Sequence, residues 1–164
     1  MKKYKGLIIA GVVLAALAAF CLWYTRPRSW RDIAEARDEE TTSLSASNNE
    51  PYFNSAEDFG FYVWIMDADQ AEGAAIEAVT QALDSHTCRA SLRNLFSGLR
   101  NGYSIDHTGG SVHLGIVLDN EHWEAPSVFG NGQVYFGNDL YYVDSGLYQE
   151  LAQIVREYGT FRED

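Results

Sequence analysis

The chain has 164 residues and a formal net charge of −11, with 12 basic and 23 acidic side chains. Its three Lys lie in the first five positions, so residues 25–164 carry nine Arg against all 23 acidic residues, a net charge of −14. Nucleic acid repels so acidic a domain, and composition therefore disfavours nucleic-acid binding. The length beyond residue 24 suits one domain with a single core and is too short for two of ordinary size.

The first long segment is uniformly apolar. Residues 6–24 (GLIIAGVVLAALAAFCLWY) contain no charged side chain, with Lys before them and Arg26 and Arg28 after. As an α-helix they extend about 28 Å, close to the hydrocarbon thickness of a bilayer. A cleaved signal peptide is the alternative, but its apolar region runs only about 7–15 residues. The pattern predicts an uncleaved signal anchor and a single-pass protein of the cell membrane.

This segment divides the chain into four parts. Residues 1–5 are a basic flank, 6–24 the transmembrane anchor, 25–40 a juxtamembrane segment with a short helix, and 41–164 a soluble domain. Because a short basic N-terminus followed directly by a span is typical of a signal anchor, we expect the C-terminal domain to be extracytoplasmic. Cys21 falls in the anchor and Cys88 is alone in the domain, so no disulfide within the domain is possible.

The first half of the domain mixes strands and helices. Residues 29–37 predict a short helix capped by Ser29, and residues 41–47 a first strand that ends in the turn-forming sequence Asn-Asn-Glu-Pro. Residues 59–66 (FGFYVWIM) alternate with apolar side chains on both faces, so this strand is either central and covered twice or exposes an aromatic face. Residues 70–84 have a helical apolar stripe. Residues 92–101 favour a second, shorter helix, with an irregular strand as the alternative.

The last third has clearer signals. Residues 111–118 (SVHLGIVL) alternate as a half-buried strand, and Asn131-Gly132 between two apolar runs indicates a hairpin. A final helix follows Asp144 or Ser145 and ends at Gly159. These elements predict an α+β fold: a single N-terminal transmembrane helix plus an antiparallel sheet with two or three helices packed mainly on one face.

The order of these segments resembles a known group of proteins. The basic N-terminus, the span, Ser-Trp-Arg-Asp-Ile, SVHLGIVL, NGQVYFGNDLYYVD and LYQELAQIV are similar to small membrane-anchored extracytoplasmic proteins of Gram-positive gut bacteria, described as families of unknown function. The similarity rests on hydrophobic spacing and on the junction from Tyr-Tyr-Val-Asp to the last helix. It implies a location and a fold class, and it implies no activity.

Several side chains suggest chemistry, each beside a structural explanation. Asp67 and Asp69 lack the remaining ligands of a calcium loop, and carboxylates before a helix explain them. His86 and Cys88 are close in sequence, but a buried free Cys behaves as a small hydrophobe. No pair of histidines has zinc-site spacing, so no cofactor or metal is predicted. The remaining three histidines, candidates for a small hydrolase or metal enzyme, are His107, His113 and His122.

One face of the strand at residues 111–118 gives the candidate binding surface. His113 lies opposite the apolar set of that strand, and with Tyr135 and Trp64 it would form a polar-aromatic patch if the three share a sheet face. The sequence thus favours a non-enzymatic binding or regulatory module, with an envelope protein or a wall-derived ligand as its partner. The alternative is a small metal-dependent or hydrolytic envelope enzyme.

Overall fold

The computed structural model describes residues 2–53, 59–69, 71–99, 109–119, 123–144 and 146–163. Within these ranges the helices are α1 (Lys2–Tyr24), α2 (Trp30–Ile33), α3 (Gly73–Ser85), α4 (Gly146–Tyr158) and a 3₁₀ helix (Leu92–Leu99). The strands in the same ranges are β1 (Pro27–Arg28), β2 (Thr41–Phe53), β3 (Phe59–Met66), β4 (Cys88–Ala90), β5 (Ser111–Leu118), β6 (Trp123–Glu124), β7 (Ser127–Phe129), β8 (Gln133–Phe136), β9 (Asp139–Tyr142) and β10 (Thr160–Glu163).

All the strands belong to one antiparallel sheet. Their order is β1-β4-β9-β8-β7-β5-β2-β3-β10, and β6 pairs with β5 beside β7. β2 is the long central strand, which pairs with β3 along one side and with β5 along the other. In chain order, α3 follows β3, and α4 lies between β9 and β10.

The two faces of the sheet have different surroundings. Along β5, Val112, Leu114, Ile116 and Leu118 are buried while the alternate side chains are half-buried. The buried set packs with α3 and α4 in the main core, which contributes most of the folding free energy. We call this side the helix face, and the opposite side, which carries Ser111 and His113, the serine face.

The segment before the sheet belongs to the same core. Trp30 of α2 is buried, and its indole nitrogen donates a hydrogen bond to Asp84 at the end of α3. Arg31 makes an ion pair with the same carboxylate at 3.1 Å, and Ala36 is buried beside them. Residues 27–36, which belong to the predicted juxtamembrane segment at 25–40, therefore help to close one end of the domain.

Two local predictions differ from the structure. The chain does not turn at residues 48–51, because Asn48 and Asn49 pair on both sides within β2, and Pro51 lies beyond the last residue of β2 that β5 pairs. Residues 92–99 form the favoured helix rather than the alternative strand, but its geometry is 3₁₀, and the last two residues of the predicted range 92–101 lie outside the described residues.

The predicted membrane anchor is corrected by the structure. Within the described residues, no helix is both long enough and apolar enough to cross a membrane. This finding contradicts the transmembrane helix at residues 6–24, and with it the fold class that included that helix and the single-pass location in the cell membrane.

Candidate functional site

His113 is held in the middle of the serine face. Its imidazole Nδ1 lies 2.8 Å from the Ser127 hydroxyl on β7, and its Nε2 lies 3.1 Å from the Ser111 hydroxyl on its own strand. Ser47 of β2 is its direct neighbour across the sheet. The edge of the Phe129 ring packs on the imidazole, with the centroids 5.9 Å apart and the planes at 87°. Alternation along β5 places Ser111 beside His113, and the strand register, which only the fold reveals, adds Ser47 and Ser127.

Tyr135 and Trp64 do not extend this surface. Tyr135 lies on the same side as His113, since both pair with Ser127 in register, but it is only 8% exposed and packs with Phe129 and Leu140. Trp64 lies in register with Asn48 and packs against the main core on the helix face. Of the three residues proposed as one patch, His113 and Tyr135 therefore share the serine face, where Tyr135 is buried, and Trp64 lies on the helix face.

Trp64 instead belongs to an aromatic row on the helix face. Its ring lies 5.2 Å from that of Phe161 and 6.3 Å from that of Tyr62, which in turn lies 4.7 Å from Tyr52. The Arg156 guanidinium of α4 stands 5.4 Å above the Trp64 ring. Aromatic pairs at these separations stabilise a sheet beyond the area they bury.

A more exposed aromatic surface lies where β2 and β3 run past the rest of the sheet. The last residue of β2 paired with β5 is Asn49, so residues 50–53 pair only with β3. On the serine-face side of this extension, Phe53 is 74% exposed, Phe59 68% and Phe61 48%. We call residues 50–53 and 59–62 the aromatic arm. The apolar character of both faces of residues 59–66 was the sequence signal for it, but sequence alone left open whether that face is covered.

His86 and Cys88 serve the structure rather than forming a nucleophile pair. The His86 imidazole bonds Asp144 through Nδ1 at 2.8 Å and approaches Glu150 through Nε2 at 3.5 Å. Cys88 is buried in the main core, and burial, with a smaller contribution from Asp144, raises the pKa of its thiol to about 11. A nucleophilic Cys needs a lowered pKa, so Cys88 is chemically unsuited to that role.

Of the remaining candidate site residues, some lie within the part of the chain that the structure describes and others lie outside it. The Asp67 carboxylate faces Arg162 at 3.5 Å, which gives it a structural partner at the sheet edge. His107 and His122 lie outside the described residues. Among the residues that are described, no group of three or more His, Cys, Asp or Glu side chains is placed to hold a metal ion.

Comparisons with known proteins give no further guide to the class of this protein. No family model, no curated protein and no solved structure matches the chain. The geometry of the serine face and of the aromatic arm is therefore the basis for assigning a function.

Proposed function

We propose that this chain is a non-enzymatic binding module that contacts a partner protein through the aromatic arm. The observation that carries the proposal is the exposure of Phe53, Phe59 and Phe61 on one side of a two-stranded extension. Isolated exposed apolar residues are ordinary, but a contiguous aromatic group on one element is typical of a protein contact site. Buried aromatic anchors also supply most of the binding free energy in protein interfaces.

The arm is preorganised for such a contact. Phe53 lies directly opposite Phe59 and Pro51 opposite Phe61, so each side chain is positioned by its cross-strand neighbour. On the other side, the rings of Tyr52 and Tyr62 pack against each other with centroids 4.7 Å apart and planes tilted by 31°, which stiffens the two strands. Rigid aromatic side chains lose little conformational entropy on binding, and the arm therefore offers contact area at low entropic cost.

Site-specific crosslinking in cells tests the proposal. A photoreactive residue in place of Phe59 is expected to crosslink one partner, while the same group in place of Glu77, on the exposed side of α3, gives a different pattern or none. With that partner purified, Phe53→Ser combined with Phe59→Ser should weaken binding about tenfold or more. Unchanged affinity of the double variant, with an unchanged thermal unfolding curve, would contradict a contact through the arm.

The hydrolase alternative is favoured by one specific observation. The Ser111 hydroxyl lies within hydrogen-bond distance of the His113 Nε2, and Ser127 binds the other nitrogen, an arrangement that resembles a nucleophile, a base and an orienting group. A fluorophosphonate probe distinguishes the two functions. The binding-module proposal predicts no covalent adduct on the full chain, whereas an adduct lost in Ser111→Ala and retained in Ser47→Ala would establish the hydrolase.

The metal-dependent form of that alternative has a separate test. If His113 held a divalent ion together with other side chains, Zn²⁺ would raise the melting temperature of the full chain and a chelator would reverse the shift. The binding-module proposal predicts a melting temperature that neither treatment changes. A Zn²⁺-dependent increase that disappears in His113→Ala would favour the enzyme.

A further inference from the structure

The serine face has an unusual composition for a strongly acidic protein. Its central part presents hydroxyl groups, one imidazole and one indole, and with His113 neutral none of these side chains carries a charge. Its members are Ser43, Ser45 and Ser47 of β2, Ser111, His113 and Gly115 of β5, Ser127 of β7 and Trp123 of β6, and the apolar side chain among them is that of Val117. The β2, β5 and β7 members are all half-buried, so they contribute accessible polar groups to the surface.

The hydrogen bonds of His113 determine what this face offers to a ligand. A neutral imidazole has one N–H donor and one acceptor nitrogen, so it donates to one of its two serine partners and accepts from the other. The serine that accepts keeps its hydroxyl hydrogen for another acceptor, and the serine that donates keeps both lone pairs. Whichever tautomer is present, Ser111 and Ser127 together offer at least one donor and several acceptors.

An aromatic platform lies beside these groups. Trp123 is 63% exposed, and its register with Val117 places it on the serine face. A Cβ atom on Gly115 would lie 3.6 Å from the indole nitrogen and 2.6 Å from the Ser45 hydroxyl. The indole therefore lies over the β5 backbone at Gly115, one side-chain position from His113 along the same face.

We propose that the serine face binds a neutral glycan, with Trp123 stacking on a sugar ring and the hydroxyl groups of Ser111 and Ser127, which His113 orients, bonding its hydroxyl groups. Sugar hydroxyls are both donors and acceptors, which matches the serine hydroxyls, and the apolar face of a pyranose matches an indole. A charged ligand would find no counter-charge among these side chains, and an apolar ligand would leave their polar groups unpaired. This site is separate from the aromatic arm and does not depend on the protein contact proposed there.

Titration of the full chain with defined oligosaccharides tests the proposal. The probes are chitotetraose, cellotetraose and maltotetraose, with binding measured by calorimetry and by tryptophan fluorescence. At least one probe is expected to bind and to change the fluorescence. Trp123→Ala should raise its Kd about tenfold or more and remove the fluorescence change, and Ser127→Ala should raise the Kd severalfold. No binding of any of the three probes would overturn the proposal.

The control variant carries Phe53→Ser and Phe59→Ser in the aromatic arm. Glycan affinity should be unchanged in this variant, while the partner protein should lose affinity for it, so failure of either proposal is distinguishable from failure of the other. A glycan Kd that is the same in wild type, Trp123→Ala and Ser127→Ala would place binding elsewhere and overturn the assignment. Binding of a polyanionic heparin fragment in preference to all three neutral probes would also overturn it.

Discussion

At the scale of single residues, burial decides which reactive or polar groups are chemically available. Cys88 is 3% exposed, and burial raises the pKa of its thiol, whereas Cys21 on α1 is partly exposed. Asn48 is buried on the helix face, where its Nδ2 donates to Glu50 at 2.9 Å. No donor in the described chain reaches its Oδ1. The buried side chains of Cys88 and Asn48 therefore affect the stability of the fold more directly than they affect its reactivity.

The first prediction concerns the two thiols. At pH 8 the native protein should react with a disulfide reagent at Cys21 within minutes and at Cys88 only on unfolding, because a thiol with a pKa of about 11 and little exposure has almost no accessible thiolate. The measurement is thiol release with and without denaturant in Cys21→Ser and Cys88→Ser. Rapid labelling of native Cys21→Ser would contradict the prediction and return Cys88 to consideration as a nucleophile.

The second prediction concerns Asn48. Replacement by Leu, which has the same branching at Cγ, removes a buried acceptor that no donor satisfies, so Asn48→Leu should raise the free energy of unfolding by about 1 kcal/mol. Asn48→Ala is the matched control and should lower it by about 1–2 kcal/mol because it leaves a cavity between β3 and β5. Denaturant unfolding measures both changes. A loss of more than about 1 kcal/mol in Asn48→Leu would mean that the amide contributes more than its bond to Glu50 indicates.

At the scale of elements, one histidine joins α3 to α4. His86 follows the C-terminal end of α3 and bonds Asp144, which precedes α4 and accepts a hydrogen bond from the backbone N–H of Gly146. The hydrogen bond from His86 is the main cause that lowers the pKa of the Asp144 carboxyl. Glu150, one turn into α4, faces the second imidazole nitrogen. This contact fixes the end of α3 against the start of α4.

The third prediction follows from the lowered pKa of Asp144. A carboxyl whose folded-state pKa lies below its unfolded value stabilises the fold above the unfolded pKa, about 3.9, and loses that contribution as the pH falls through the folded pKa. Asp144→Asn keeps an oxygen for the Gly146 N–H but removes the charge. It should lower the free energy of unfolding at pH 6 by about 0.5 kcal/mol or less, since the carboxylate is mostly exposed.

Unfolding measured at intervals between pH 2 and pH 6 checks this prediction. The difference between wild type and Asp144→Asn should shrink towards zero at the acid end of the range. Glu150→Gln, which removes the more distant carboxylate, should give a smaller difference at pH 6. A difference for Asp144→Asn that is constant with pH would contradict a contribution from its ionisation.

At the scale of the whole molecule, α1 and the domain are joined through a few residues. Most described side chains of α1 are exposed, and the side chain of Tyr24 at its end packs against the main core. Immediately after α1, β1 pairs with β4 and Trp30 is buried. The domain therefore begins in packing terms at about Tyr24, well before the first long strand at Thr41.

The fourth prediction tests this boundary. Deletion of residues 2–20 should change the free energy of unfolding of the domain by less than about 1 kcal/mol, because the side chains described in this stretch, at residues 8–20, are all exposed. Deletion of residues 2–30 is the control and should destabilise the domain strongly, since it removes β1 and Trp30. Circular dichroism melting of both proteins measures the effect, and equal losses from the two deletions would contradict the boundary.

Local sequence patterns correctly predicted several elements of this structure. The alternation of residues 111–118 and 59–66 coincides with β5 and β3, and the helical stripe after residue 70 coincides with α3. Asn131-Gly132 forms the turn between β7 and β8, where Gly132 has a φ of +81° and leaves no space for a Cβ against the Val143 carbonyl. These features depend on neighbours in sequence, so periodicity and turn chemistry reveal them.

Only the tertiary structure decided which residues share a surface. Trp64 and His113 lie on opposite faces because β2 lies between their strands and fixes the register of both, and no local pattern specifies that register. Ser127 reaches His113 for the same reason, and the aromatic arm exists because β5 ends its pairing at Asn49. The apolar character of α1 was evident from residues 6–24, but the structure overturned the span predicted from it. Strand pairing joins residues that are far apart in the chain, so the tertiary fold decides which of them share a surface.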